Sequence, residues 1–161
     1  MTGMVWKPDV TVAAVAERDG RFLFVEERAG GRIVLNQPAG HLEDGETLID
    51  AVVRETLEET AWTFEPTGIV GLYLWKRGPG GRTFLRVAFR GVLVAHDPAR
   101  PLDRAILRTR WLNRTQLAAP GQRLRSPLVL TCVDHWLAGA DHPLSLLNHL
   151  IDDPAALAAS G

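Results

Sequence analysis

The segment GHLEDGETLIDAVVRETLEETAW occupies residues 40–62 and holds the longest helical pattern in the chain. Thr47 followed three residues later by Asp50 is a capping box in which aspartate replaces the usual glutamate, so a helix is predicted to begin near Leu48. The apolar side chains of this helix recur at helical spacing, at Leu48, Ile49, Val52, Val53 and Leu57. The segment therefore predicts an amphipathic helix with one buried face.

Three glutamates of the same helix, Glu55, Glu58 and Glu59, lie at positions i, i+3 and i+4. At about 100° per residue they fall within an arc of roughly 100°, next to the buried face. Close carboxylates repel one another, and a divalent cation would reverse the sign of that energy. Carboxylate oxygens suit Mg²⁺ or Mn²⁺ better than Zn²⁺. For an arbitrary helix, the commoner explanation of three glutamates is a solvated acidic face.

The spacing of charged and glycine residues in this segment resembles the Nudix box, G-x5-E-x7-R-E-U-x-E-E-x-G-U, where U is an aliphatic residue. The positions that agree are Gly40, Glu46, Arg54, Glu55, Glu58 and Glu59. Ala61 replaces the last glycine, which would end the helix in the left-handed conformation. Alanine costs about 1 kcal/mol in that conformation, so the turn is expected to be shifted or strained.

The resemblance implies a metal site and a catalytic base. The implied metal-binding groups are the side chains of Glu55, Glu58 and Glu59 and the backbone carbonyl of Gly40. Arg54 would fix a catalytic glutamate, and Glu46 would pair with Arg54 or hold the loop. Glu58 or Glu59 is favoured as the base that accepts the proton of the attacking water, with Glu55 as an alternative. A fourth carboxylate would come from Asp103 or be absent, because Ala105 stands at the aligned position.

Three further segments resemble the NudJ phosphatase branch of this family: KPDVTVA at residues 7–13, NQPAGHLE at residues 36–43 and LRSPLV at residues 124–129. This branch implies a small magnesium-dependent hydrolase of nucleoside tri- and diphosphates. It also implies action on hydroxymethylpyrimidine diphosphate and thiamine diphosphate. The reaction would cleave a P–O–P linkage by attack of water at phosphorus.

The rest of the chain predicts strands and one late helix. Asp19 and Gly20 form a strong turn signal between two apolar runs, and a second hairpin surrounds the glycine-rich turn at residues 78–81. A late helix is predicted from an N-cap at Ser126 to about Leu137. The predicted strands cover residues 10–16, 22–25, 33–35, 69–75, 83–94 and 106–111. This order predicts an α/β (α+β) protein with the Nudix fold, a mixed β-sheet sandwiched between helices.

Composition narrows the class of protein. The 161 residues are 46% hydrophobic and 23% charged with a net charge of −1, which predicts one globular domain over residues 1–152 and a disordered tail at residues 153–161. The charge balance lacks the excess of basic residues that is typical of a DNA-binding protein. No uncharged apolar run is long enough to span a membrane. Cys132 has no disulfide partner and is expected in the core. Without a secretory signal at its start, the protein is expected in the cytoplasm.

Substrate contacts are predicted from residues that flank the acidic helix. The candidates are Arg125, Trp75, Arg86, Trp6 and His41, with Tyr73, Phe84 and Arg77 as further aromatic and basic neighbours. Arg125 precedes the late helix and could bind an anion together with the helix N-terminus. Against these assignments, aromatic strand residues are more often core and single arginines are more often solvated.

Other functions remain open at this point. One is a Nudix pyrophosphohydrolase for ADP-ribose, dinucleoside polyphosphates or capped RNA, because the box specifies a diphosphate and not its substituent. Another is a non-catalytic nucleotide sensor, which would usually have lost box glutamates that are all present here. The partner is expected to be a small nucleotide or thiamine-related diphosphate. The protein would be a monomer or homodimer, and residues 144–151 would form an interface or, by default, complete the core.

Overall fold

The structure is a computed structural model and describes residues 3–150. Its strands are β1 (Asp9–Arg18), β2 (Arg21–Ala29), β3 (Arg32–Asn36), β4 (Ala39–His41), β5 (Trp62–Lys76), β6 (Thr83–His96) and β7 (Ile106–Leu112). Its helices are α1 (Leu48–Thr60), α2 (Arg114–Leu117) and α3 (Leu128–Leu137), followed by a 3-10 turn at Leu144–Leu146. The tail predicted at residues 153–161 lies outside the described residues.

The strands form a mixed sheet with β1 at its centre, in the order β3-β2-β1-β6-β5. β1 runs parallel to β6, from Asp9 opposite Phe84 to Ala16 opposite Gly91. The other pairings are antiparallel: β1 with β2, β5 with β6, β4 with β1, and β3 and β7 with β2. The pairing of β1 with β6 therefore places residues 9–16 beside residues 84–91.

Alternate residues of β1 enter two cores on opposite faces of the sheet, as the period of a strand requires. Val12 and Ala14 pack with Val52 of α1, whereas Ala13 packs with Cys132 of α3. The predicted sheet between helices is therefore confirmed, and so is the place of Cys132 in the core.

The predicted start of α1 is confirmed in detail. The Thr47 hydroxyl accepts from the Asp50 backbone N–H at 3.0 Å, and the Asp50 carboxylate accepts from the Thr47 N–H at 3.1 Å. At the other end Ala61 adopts φ 60° and ψ 14°, and its N–H donates to the Leu57 carbonyl at 2.9 Å. The turn is not shifted, so alanine occupies the left-handed position itself.

Several boundaries differ from the sequence prediction, and β2, for example, ends at Ala29 rather than Val25. β5 begins at Trp62, seven residues before the predicted start. Pro66 and Gly68 obscured this extension, but β5 is the last strand in the sheet order and absorbs both residues at an irregularity in its pairing with β6. The N-cap of α3 is Pro127 rather than Ser126, whose hydroxyl makes no cap and is buried.

The segment after α3 contributes to packing. Leu144 and Leu147 pack against the core on the α1 face of the sheet, so the expectation of a core role is confirmed for these two residues. Leu146 is 59% exposed. No helix among the described residues has the length and apolarity that a membrane span needs.

Candidate active site

A group of three carboxylates forms where α1 meets the loop between β6 and β7. Glu55, Glu58 and Asp103 each place one oxygen within 4.8 Å of the others. The Asp103 backbone N–H donates to the Glu58 carbonyl at 3.0 Å, which holds the loop against the helix. Asp103 was the open alternative for a fourth carboxylate, and the structure brings it to Glu55 and Glu58.

Arg54 offsets the repulsion within this group. Its Nη1 donates to Glu55 at 2.9 Å and to Glu58 at 3.2 Å. Its Nε and Nη2 donate to the two carboxylate oxygens of Glu46 at 3.0 and 2.7 Å, a bidentate pair that orients the guanidinium. Nη2 also donates to the His41 carbonyl at 3.1 Å. Hydrogen bonds from Arg54 lower the pKa of Glu46, so the pair is ionised at neutral pH.

Gly40 lies directly against the group. A Cβ at this position would overlap the carboxylate of Glu55, so a larger residue between β4 and α1 would displace that carboxylate. The contact also brings the backbone of Gly40 next to a predicted metal-binding side chain. Burial raises the pKa of Glu55, while the Arg54 guanidinium opposes that shift.

Glu59 occupies a different position from Glu55 and Glu58. It is 7% exposed, and its Oε2 accepts from the Ala39 backbone N–H at 3.0 Å. Burial raises the pKa of this carboxyl to about 9, against the effect of the Ala39 hydrogen bond. Glu59 therefore lies beneath β4, one residue from the Gly40 backbone.

The donor set fits a divalent cation of the magnesium type. All three side chains in the group offer carboxylate oxygens. Arg54 pairs with Glu55 and Glu58 and so relieves part of the repulsion within the group. Hard oxygen donors of this kind are the ligands that Mg²⁺ and Mn²⁺ take in proteins. The side chains present thus fit the ion that the sequence predicts.

A cavity of about 210 Å³ opens beside Gly40 and is lined by side chains from six strands and the start of α3. Four of the predicted substrate contacts line it: His41, Trp75, Arg86 and Arg125. Trp75 and Phe84 are cross-strand neighbours with stacked rings whose centroids are 5.6 Å apart. The cavity therefore has an aromatic wall and basic side chains, and it adjoins the carboxylate group at Gly40.

Trp6, the fifth predicted substrate contact, is 69% exposed and is not among the residues that line the cavity. The reason is its position before β1, where the chain has no strand to hold the indole against the sheet. Tyr73 turns to the α3 face instead, with its hydroxyl 2.9 Å from His135 Nδ1.

The sequence analysis overlooked several residues of the cavity, among them Glu27 on β2 and Asn36 on β3. Asn36 Nδ2 donates to Glu27 Oε1 at 3.3 Å, and Arg125 Nε lies 3.4 Å from the same oxygen. Burial raises the pKa of Glu27, and the charge of Arg125 opposes that shift. The available signal was the charged pair Glu26 and Glu27 after an apolar run, which does not distinguish a buried acid from a solvated one.

Comparison with known proteins identifies the family. The model of the NUDIX domain matches residues 6–131. Phosphatase NudJ from Escherichia coli (strain K12) is 38% identical over 144 residues, which cover 89% of this chain and 93% of the relative. A NUDIX hydrolase from Nitrosomonas europaea is 46% identical, with a TM-score of 0.86, 89% of this chain covered and 98% of that one.

A more distant structure supports the fold alone. The NUDIX domain of Shewanella oneidensis NrtR, solved with ADP-ribose, has a TM-score of 0.67 at 13% identity and covers 84% of this chain and 90% of that one. Nudix enzymes generally use divalent metals and bind nucleotide-like diphosphates. The family match and the two closer relatives agree with the site geometry. The chain belongs to the Nudix hydrolase family and is an enzyme that hydrolyses diphosphate linkages.

Proposed function

We propose that this protein is a magnesium-dependent hydrolase of nucleoside tri- and diphosphates that also accepts hydroxymethylpyrimidine diphosphate or thiamine diphosphate. One observation carries the proposal: Gly40 touches the carboxylate group through Glu55 and at the same time lines the cavity. A diphosphate at the carboxylates would therefore continue into a space with an aromatic wall. The 38% identity to phosphatase NudJ supports this substrate class.

The roles of the carboxylates follow from their positions. We propose Glu55, Glu58 and Asp103 as ligands of the cation, joined by Glu59 and the carbonyl of Gly40. All donors are oxygens, which favours Mg²⁺, with Mn²⁺ as the alternative. When bound, a divalent ion neutralises the charge of the diphosphate, activates water and stabilises the leaving phosphate.

The protein's own side chains orient the reaction. Arg54 holds Glu55 and Glu58 in place through hydrogen bonds of 2.9 and 3.2 Å, and Glu46 holds Arg54. Glu58 or Glu59 would accept the proton of the attacking water, with Glu55 as the third candidate. Glu58 is the more exposed of the two, whereas Glu59 needs its carboxyl ionised despite burial.

The substrate's organic part would lie in the cavity. His41, Trp75, Arg86 and Arg125 are the proposed contacts, because all four line it. Stacked aromatic rings suit a flat heterocycle, and arginine side chains suit a phosphate or a carbonyl group. Trp6 is omitted because it is exposed and does not line the cavity.

The test is hydrolysis with Mg²⁺ of GTP, ADP, hydroxymethylpyrimidine diphosphate, thiamine diphosphate, ADP-ribose and a diadenosine polyphosphate. Phosphate and pyrophosphate release are measured for the wild type and for Glu58→Gln. Orthophosphate from the first four substrates, lost in the variant, supports the proposal. Preference for ADP-ribose or the dinucleotide would assign the protein to another branch of the family. Binding without turnover of any substrate would support the sensor alternative instead.

A further inference from the structure

Buried polar atoms without partners are concentrated at one place. Among residues 3–150, four buried side-chain atoms lack a hydrogen bond: Thr11 Oγ1, Asn36 Oδ1, Arg86 Nε and Ser126 Oγ. All four belong to residues that line the cavity beside Gly40. Buried polar groups in folded proteins nearly always have a partner. The cavity therefore lacks polar partners that a bound molecule could supply.

The acceptors of the cavity are fixed by their neighbours. Asn36 donates its amide N–H to Glu27 Oε1, and its own Oδ1 is buried and accepts no hydrogen bond. Arg125 approaches the same oxygen of Glu27. Within the described part of the chain no hydrogen bond reaches Glu27 Oε2. The cavity thus presents two acceptors, one from a carboxylate and one from an amide.

The donors are fixed as well. Arg86 is 7% exposed, and none of the described acidic side chains lies within 4.0 Å of its guanidinium. Its Nη1 donates to Gln37 Oε1 at 3.3 Å, and Gln37 Nε2 donates to the Val129 carbonyl at 2.7 Å. This chain of contacts orients Arg86 and leaves Nε–H as a free donor. Thr11 lies directly beside Arg86 in the register of β1 and β6.

A mixed set of donors and acceptors discriminates between ligand chemistries. A phosphate group offers only acceptor oxygens, which would suit Arg77, Arg86 and Arg125 but would leave Glu27 Oε2 and Asn36 Oδ1 without donors. A heterocycle with an exocyclic amine offers donors and acceptors along one edge. The volume, about 210 Å³, is below the roughly 300–1,000 Å³ of pockets for whole drug-sized ligands, so it suits one part of a nucleotide.

We propose that this cavity is a recognition subsite for an amino-substituted nitrogen heterocycle. Glu27 Oε2 and Asn36 Oδ1 accept hydrogen bonds from its amine edge, and Arg86 Nε and the Ser126 hydroxyl donate to a ring nitrogen or carbonyl oxygen. The stacked rings of Trp75 and Phe84 form the apolar wall. This proposal depends on the proposed function in one respect: the diphosphate of the same molecule must reach the carboxylate group.

The proposal makes Glu27 a specificity-determining residue. Guanine and hypoxanthine differ by one exocyclic amine, and cytosine and uracil differ by replacement of an amine with a carbonyl. A hydrogen bond to a charged group contributes about 1.5–3 kcal/mol. Removal of the amine should therefore weaken binding about 10- to 100-fold.

The experiment is calorimetric binding of GDP, IDP, CDP and UDP in EDTA to the wild type and to Glu27→Gln. We expect the wild type to bind GDP more tightly than IDP and CDP more tightly than UDP, each by about 10- to 100-fold. Glu27→Gln should reduce both ratios to below about threefold, because an amide oxygen accepts more weakly than a carboxylate. Glu26→Gln is the matched control, since Glu26 is the adjacent carboxylate of β2 and pairs with Arg108 and Arg110 instead.

Two results would overturn the proposal: wild-type ratios near one, or full discrimination in Glu27→Gln. Ser126→Ala gives a second, conservative test, and it should weaken GDP and IDP alike because both retain the carbonyl group. Unequal loss, or no loss, contradicts the assigned donor.

Pyrophosphate binding should not improve in Glu27→Gln. A gain in pyrophosphate affinity as large as the loss in GDP affinity would mean that the cavity binds the phosphate end of the molecule. Hydrolysis with Mg²⁺ is measured separately, so absent turnover with intact discrimination would refute the enzyme proposal and leave the subsite standing.

Discussion

The carboxylate of Glu55 lies against the Cα of Gly40, so a side chain at residue 40 would displace it. This contact joins α1 to β4 and couples the acidic helix to the cavity that Gly40 lines. The geometry explains why a glycine is needed at a position whose backbone φ is not in the left-handed region. The reason is steric, because a larger residue would collide with the Glu55 carboxylate.

Gly40→Ala should therefore displace the Glu55 carboxylate. We expect kcat to fall at least about 100-fold and the protein to lose about 1–3 kcal/mol of stability, because a side chain is forced into a filled space. Steady-state hydrolysis of GTP and urea unfolding measure the two effects. Gly3→Ala is the control, since nothing lies within 4 Å of that position. Unchanged activity in Gly40→Ala would show that the contact does not position Glu55 for the reaction.

Arg54→Lys should impair catalysis although it keeps the charge. A lysine cannot donate in a bidentate manner to Glu46 while bonding Glu55 and Glu58. We expect kcat/KM to fall about 10- to 100-fold and the Mg²⁺ concentration for half-maximal rate to rise. Arg108→Lys changes an arginine that pairs with Glu26, outside the carboxylate group, and it should retain the wild-type rate. Equal kcat/KM and equal Mg²⁺ dependence in the two variants would show that the hydrogen bonds of Arg54 do not contribute to catalysis.

Asp103→Asn tests the carboxylate that comes from the loop. The backbone bond from residue 103 to the Glu58 carbonyl remains in the variant, so the loop should stay in place. Loss of one charged oxygen should weaken Mg²⁺ activation about 10-fold without lowering the melting temperature. Asp97→Asn, in the same loop, serves as the comparison because its carboxylate accepts from the Ala99 N–H. A metal response identical to the wild type would exclude Asp103 as a ligand.

Glu59 should make stability in EDTA depend on pH. Its folded pKa is raised to about 9 by burial, above the ordinary value of 4.5. Between these values the unfolded chain releases the proton and the folded protein keeps it, so the free energy of unfolding falls as pH rises. Glu59→Gln should remove this slope and stabilise the metal-free protein by about 1–3 kcal/mol at pH 7. Urea unfolding at pH 5, 7 and 9 would contradict the assignment if both proteins showed the same slope.

Ala61→Gly should stabilise the end of α1. The left-handed conformation costs an L-residue about 1–2 kcal/mol, whereas glycine adopts it freely. Loss of the buried methyl group offsets part of this gain, so we expect a net increase of about 0.5–1 kcal/mol. Thermal and urea unfolding measure the change. A lower stability would show that packing of the methyl group exceeds the backbone strain.

Much of the site was predictable because its parts are local. The capping box joins Thr47 to Asp50, and the three glutamates face one side of α1 through the period of the helix. These relationships span four residues or fewer. They depend on helix geometry and on no other part of the chain.

The remaining features depend on contacts between distant segments. Asp103 reaches Glu58 only because the loop after β6 returns to α1, and Glu27, Arg86 and Ser126 meet only through the strand order and the position of α3. Trp6 also lies close to β1 in sequence, but it is exposed and does not line the cavity. The sequence by itself determined the acidic helix and its N-terminal capping box, since these follow from local spacing, and its resemblance to the Nudix box implied the class of chemistry. Only the tertiary structure decided which carboxylates meet and which polar atoms are left without partners, because long-range strand pairing sets those distances.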